Sequence, residues 1–178
     1  MPGVSQVNER KRKQNEKKFG AWEELPGGGR RYWLEVMGRS GWKARYVKEV
    51  DAEERTLRFY QEIYNERGEL VEIHEKYPID KGHRKIKGSS AMITRREVAN
   101  KLTDYLQHRL TLQELVNWAE QAMMEEEFEE EYFDLLRDII SRLGLADVEK
   151  FSLTWEDCED YLLRLGYQVK VEVSEVGP

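Results

Sequence analysis

Between residues 31 and 77, four runs rich in aromatic and β-branched side chains (32–37, 42–50, 56–64 and 70–77) are separated by only four or five residues each. Links that short close hairpins but cannot carry the crossover that a parallel pair needs, so neighbouring strands must run antiparallel. The pattern predicts a four-stranded antiparallel β-meander. One hairpin can be read in register. Asn65-Glu66-Arg67-Gly68 fits a type I turn closed by a left-handed glycine, with Asn65 opposite Glu69. A straight ladder from there pairs Tyr64 with Leu70, Ile63 with Val71, Glu62 with Glu72, Gln61 with Ile73, Tyr60 with His74, Arg58 with Lys76 and Leu57 with Tyr77. Phe59, Ile63, Val71 and Ile73 then share an apolar face, and Arg58, Tyr60, His74 and Lys76 share the opposite one. An apolar sheet face must be covered.

The second half has a different period. Thr94 heads a helix with the stripe Val98, Leu102, Tyr105 and Leu106, and Thr111 with Glu114 forms a capping-box pattern before Leu115, Trp118, Ala119, Ala122 and Met123. Residues 128–143 read as one helix, with Phe128, Tyr132, Leu135, Leu136, Ile139, Ile140 and Leu143 on one side and Gly144 at its end. Thr154 and Asp157 cap a fourth helix that stops at Gly166. Val169, Val171 and Val173 then alternate with polar residues as in a short strand, whose available partner is an edge of the sheet. The expected fold class is α+β: a four-stranded antiparallel β-meander module followed by a small helical bundle with a C-terminal strand.

Charge divides at the same place. Residues 1–90 carry 20 Lys and Arg against 15 Asp and Glu, whereas residues 91–178 carry 9 against 20. Residues 1–19 are expected as a basic flexible tail, 20–87 as a basic antiparallel β module, 88–91 as a linker, and 92–178 as an acidic helical module. Gly88-Ser89-Ser90 is linker composition and Met92-Ile93-Thr94 reads like the start of a gene product. The chain is therefore either a fusion of two proteins or one α+β protein with a shared core. Opposite signs predict intramolecular contact between the basic and acidic modules, with Glu125-Glu126-Glu127-Phe128-Glu129-Glu130-Glu131 as the acidic focus.

Several classes are disfavoured. The lone Cys158 rules out an internal disulfide and fits a reducing cytosol. No apolar stretch approaches the roughly 20 residues needed to span a bilayer, and the charged N-terminus lacks the apolar core of a secretory signal. A cytoplasmic location without a membrane partner is expected. Gly27-Gly28-Gly29 lacks the Lys-Ser/Thr of a phosphate loop, and no His-x₃-His or Cys-x₂-Cys occurs, so no cofactor and no metal is expected.

The densest chemistry lies over residues 74–84. Metal-independent RNA cleavage needs a base for the 2′-hydroxyl, an acid for the leaving oxygen and cations for the phosphorane. Tyr60, His74, Arg58 and Lys76 on one sheet face fit those catalytic roles, with Lys43, Arg45, His83 and Arg84 as nucleic-acid contacts. Trp33, Trp42, Tyr46, Tyr60 and Tyr64, interleaved with cations, fit a stacking platform for unpaired bases. The competing reading makes Tyr60 and His74 an ordinary cross-strand pair on a soluble sheet face.

A basic compact β module beside an acidic helical one resembles a type II toxin–antitoxin pair joined in one chain. That resemblance implies a ribonuclease whose active surface an acidic partner covers. Tyr32-Trp33, Gly41-Trp42-Lys43-Ala44-Arg45-Tyr46 and His74-Glu75-Lys76-Tyr77-Pro78 are also similar to uncharacterised prokaryotic domains, which implies no activity. Ribonuclease toxins of this kind place a helical hairpin before the sheet, which the polar tail does not match, so no active site carries over. The expected function is an RNA-directed β module, a metal-independent endoribonuclease, neutralised by the acidic helical module. The alternative is a non-enzymatic α+β protein-interaction domain with an acidic partner-binding surface.

Overall fold

The computed structural model describes residues 6–78 and 92–178. Its elements are α1 (Gln6–Phe19), β1 (Ala21–Glu24), β2 (Arg30–Met37), β3 (Lys43–Val50), β4 (Thr56–Tyr64), β5 (Leu70–Tyr77), α2 (Arg95–Leu106), α3 (Leu112–Glu125), α4 (Phe133–Leu143) and α5 (Trp155–Arg164). The class is α+β, as expected. The strands form one antiparallel sheet in the order β1-β2-β3-β4-β5. It has five strands where the sequence pattern predicts four. The extra one, β1, is a four-residue edge with two glutamates, too short and polar to register as a β run. It is held by pairing Trp22 with Tyr32 across the Gly27-Gly28 turn.

Helices cover one face of the sheet. Tyr32, Val36, Ala44, Tyr46, Val50, Phe59 and Ile63 from the strands join Leu102, Leu115, Ala119, Met123, Leu136 and Ile140 from the helices in one buried cluster. Each such large apolar side chain contributes roughly 1.5–3 kcal/mol when buried. Side chain-to-backbone bonds cross the same interface. The Tyr46 hydroxyl donates to the Ser141 carbonyl at 2.7 Å, and Gln61 Nε2 donates to the Gly144 carbonyl at 2.9 Å. Two glycines permit the close approach. A Cβ on Gly38 would meet the Phe151 ring at 2.7 Å and the Lys150 carbonyl at 2.9 Å, and one on Gly144 would collide with the Tyr46 hydroxyl.

The capping residues read from sequence act as expected. Thr94, Thr111 and Thr154 each accept the backbone N–H three residues on, and Asp157 closes a full capping box. Three other expectations are corrected. Residues 6–19 are a packed helix rather than a flexible tail, because Asn15, Lys18 and Phe19 make a narrow inward stripe that the polar composition conceals. Phe128 lies outside α4, which starts at Phe133. The chain leaves α3 extended at Glu126, and Phe128 bridges to Ile93 through Ile93 N–H to Glu127 O (2.8 Å) and Glu129 N–H to Ile93 O (3.0 Å). Residues 167–178 form no strand, since alternation makes a ladder only where another strand is in reach. The proposed linker 88–91 lies outside the described residues. Among the described residues, no helix is long and apolar enough to cross a membrane.

Candidate functional site

The hairpin turn is as read: Gly68 has φ +79°, its N–H bonds Asn65 O at 3.0 Å, and Asn65 N–H bonds Glu69 O at 3.0 Å. Tyr64 pairs with Leu70. Beyond that pair the straight register fails. A shift between Ile63 and Tyr64 leaves Val71 as an extra residue, so Ile63 faces Glu72, Glu62 faces Ile73, Gln61 faces His74 and Tyr60 faces Glu75. A second shift sets Phe59 opposite Tyr77. An irregularity of one residue turns a whole run of side chains to the other face, and edge strands such as β5 are where bulges concentrate.

The expected catalytic group is thereby divided. His74 and Lys76 share the helix-covered side: His74 is paired with Gln61, which bonds the helical half, and Lys76 Nζ lies 2.7 Å from Glu120 Oε1 on α3. Tyr60 and Arg58 share the uncovered side. Arg58 Nε donates to Glu75 at 3.1 Å, and its guanidinium sits 3.9 Å from the Tyr60 ring centre. The Tyr60–His74 and Arg58–Lys76 pairings do not exist. His74 Nε2 lies 2.7 Å from Glu72 Oε2 instead. Burial raises the Tyr60 phenol above its ordinary value, which leaves it protonated near neutrality.

Of the expected nucleic-acid contacts, Lys43 and Arg45 occupy the uncovered face, while His83 and Arg84 lie outside the described residues. Lys43 and Arg45 both reach Glu35, at 3.6 and 2.7 Å, and both lie over the Tyr64 ring. Arg31 bridges Glu23 and Glu49, the latter at 2.9 Å, and Glu49 also meets Arg58. Hydrogen bonds to Glu49 and Glu75 raise the Arg31 and Arg58 guanidinium groups respectively. On this face Arg31, Lys43, Arg45 and Arg58 confront Glu23, Glu35, Glu49, Glu62 and Glu75. Among the described residues, no basic excess remains on this face. The aromatic platform is also split: Trp33 and Tyr60 flank Val47 across three strands, but Tyr46 is fully buried on the opposite side against Phe59.

The unforeseen polar residues lie between the halves. Lys18 donates to the carbonyls of Ala122 (3.0 Å) and Glu126, and Lys48 to that of Met124 and to Asn15 Oδ1 (3.1 Å). These carbonyls end α3, where the helix dipole is negative and cations are favoured. Glu54 is wholly buried and accepts from Arg12 Nε (2.9 Å), Asn15 Nδ2 (3.0 Å) and the Tyr32 hydroxyl (2.9 Å). The acidic run is engaged as well. Glu127 pairs with Arg10 at 2.7 Å, Glu130 with Lys17 at 2.6 Å, and Glu125 accepts from Thr56. A cleft of about 300 Å³ lies here, lined by Lys18, Lys48, Glu54 and residues 124–127 among others. Burial, then the neighbouring Lys48, lowers the Lys18 ammonium to about 7. A buried Lys gives no warning in sequence; α1 merely reads as basic.

Among the described residues, no cluster of three or more His, Cys, Asp or Glu is placed to hold a metal ion. Comparison with protein-family models, curated proteins and solved structures returned no match.

Proposed function

We propose that this chain is a non-enzymatic protein-interaction domain whose working surface is the uncovered face of the sheet. The observation that carries this reading is the lattice of Arg31, Arg45 and Arg58, each held by glutamates of neighbouring strands beside Trp33 and Tyr64, with Val47 and Tyr60 already buried. Arginine and aromatic side chains dominate the energetics of protein interfaces. Here they are fixed before any partner arrives, which lowers the entropy cost of docking. The alternative partner surface, the acidic run, is partly engaged within the chain, with Glu127 and Glu130 paired to α1, Glu125 to Thr56 and Glu129 to the Arg95 N–H. A polyanion is poorly served by the sheet face, because its cations are already paired, whereas polyanion affinity comes from free Lys and Arg displacing the counterions condensed on the nucleic acid.

The test places a photo-crosslinking residue at Trp33 in the source cells and, as a control, at Lys101 on α2. A discrete protein adduct at position 33, absent at 101 and lost with Arg58→Glu, is the expected result. RNA binding by the purified chain that weakens steeply with salt, together with no adduct at 33, would overturn the reading in favour of an RNA-directed role.

A further inference from the structure

α1 is attached to the body of the fold mainly by polar contacts. Among its described side chains, Phe19 is the buried apolar one. Arg10, Arg12 and Lys17 reach Glu127, Glu54 and Glu130 at 2.7, 2.9 and 2.6 Å, Asn15 also bonds Glu54, and Lys18 donates to the last carbonyls of α3. The packing is loose. Clefts of about 470 and 300 Å³ run along the helix. Gln14 borders both, and its Oε1 is buried without a hydrogen-bond partner among the described residues.

We propose that α1 is a strap that swings out about Gly20 while the remaining fold holds, and that its seat then takes a Lys- and Arg-rich helical segment of another protein. Gly20 alone joins α1 to β1, at φ +83° with open space where a Cβ would stand, so it can absorb the turn. When α1 leaves as a unit, both partners of each ion pair return to water, so opening strands no buried charge. Exposed pairs such as Arg10–Glu127 contribute little net stability, and a free 14-residue helix is itself marginal.

The strap displays what the seat recognises. Lys17 Nζ sits 4.3 Å from the Phe133 ring centre and Lys18 Nζ 4.7 Å from that of Phe128, while Glu127 and Glu130 take charges from Arg10 and Lys17. Two aromatic faces, the negative end of α3 and the flanking carboxylates all select ammonium or guanidinium groups spaced along a helix. The carboxylates alone would not make such a site. α1 and a basic partner segment therefore compete for one seat, and the chain's own segment holds it closed.

Hydrogen exchange on the full chain tests the strap. Amides of residues 10–19 should exchange through an opening that leaves α3 and α4 protected, and faster as salt screens the ion pairs. A labelled synthetic peptide of residues 6–19 tests the seat. Its affinity is reduced by the fraction of molecules with α1 closed, so a chain with Arg10→Glu and Lys17→Glu should bind it roughly fivefold or more tightly than the unaltered chain. The Arg10 and Lys17 side chains are 67 and 36% exposed, so this variant keeps the body of the fold. Amides of α1 that exchange only with those of α3 and α4, or a peptide that binds neither chain or both alike, overturn the proposal. Either result leaves the interaction reading of the lattice around Arg58 untouched.

Discussion

Lys76 Nζ, on the last turn of β5's ladder, lies 2.7 Å from Glu120 Oε1 in the middle of α3, and the two side chains are only 9 and 7% exposed. The pair ties the edge of the sheet to the helical half. Removing one partner strands the other charge in a desolvated site, at a cost of about 3 kcal/mol or more, whereas replacing both with apolar groups is close to neutral. Lys76→Met should therefore lower the urea midpoint sharply at unchanged slope, and Lys76→Met with Glu120→Met should recover most of the loss. A neutral single variant would show that the pair is not coupled to folding.

Lys18 makes stability depend on pH. Its folded value of about 7 lies below the ordinary 10.5, so between these values the unfolded chain holds more protons than the folded one. Stability then rises with pH across that window, by at most about 1.4 kcal/mol per pH unit. Below about pH 7 the ammonium is protonated in both states and its burial cost is fully present. Its bonds to the Ala122 and Glu126 carbonyls favour the ammonium and reduce the slope. The Cys158 thiol, pushed up to about 11 by burial, acts in the opposite sense once the unfolded thiol ionises near pH 9. Chemical denaturation from pH 7 to 9 should show the rise, and Lys18→Met should flatten it.

Glu54 gathers three donors from α1 and β2 in a turn that reads as surface. Glu54→Ala leaves the Tyr32 hydroxyl, Asn15 and Arg12 without their acceptor, for a loss on the order of 2–4 kcal/mol. Glu54→Gln keeps an acceptor and should lose less. Thermal melts rank the three proteins. Equal melting points would mean that the bonds to Glu54 contribute nothing to the docking of α1.

Division of the chain between residues 90 and 91 tests the shared core. Residues 1–90 alone expose Tyr46, Phe59 and Ile63, which the helices bury. Neither fragment should unfold cooperatively alone, and mixing them should restore a single transition. Two independently melting fragments would instead mark separate modules.

The order of the elements was legible because turn length and hydrophobic period are local properties. Threonine caps and the Gly68 turn belong to the same class. The β4–β5 register was not, because a one-residue bulge such as that at Val71 leaves no mark in the alternation of either strand. Its effect is large: Tyr60 and His74, neighbours in a straight ladder, end on opposite faces. Arg10–Glu127 and Lys17–Glu130 join the acidic run to α1, the stretch expected as a flexible tail, and not to the basic β module. Net charge could not show that Lys18 and Lys48 end α3 or that the Arg-rich sheet face carries its own glutamates.

Gly38 and Gly144 have a consequence for anyone re-engineering the chain. A single methyl group at either position wedges strand from helix, so library designs that shuffle the front and rear segments with foreign ones will fail unless both sites stay bare. Recombination here is governed by two missing carbons.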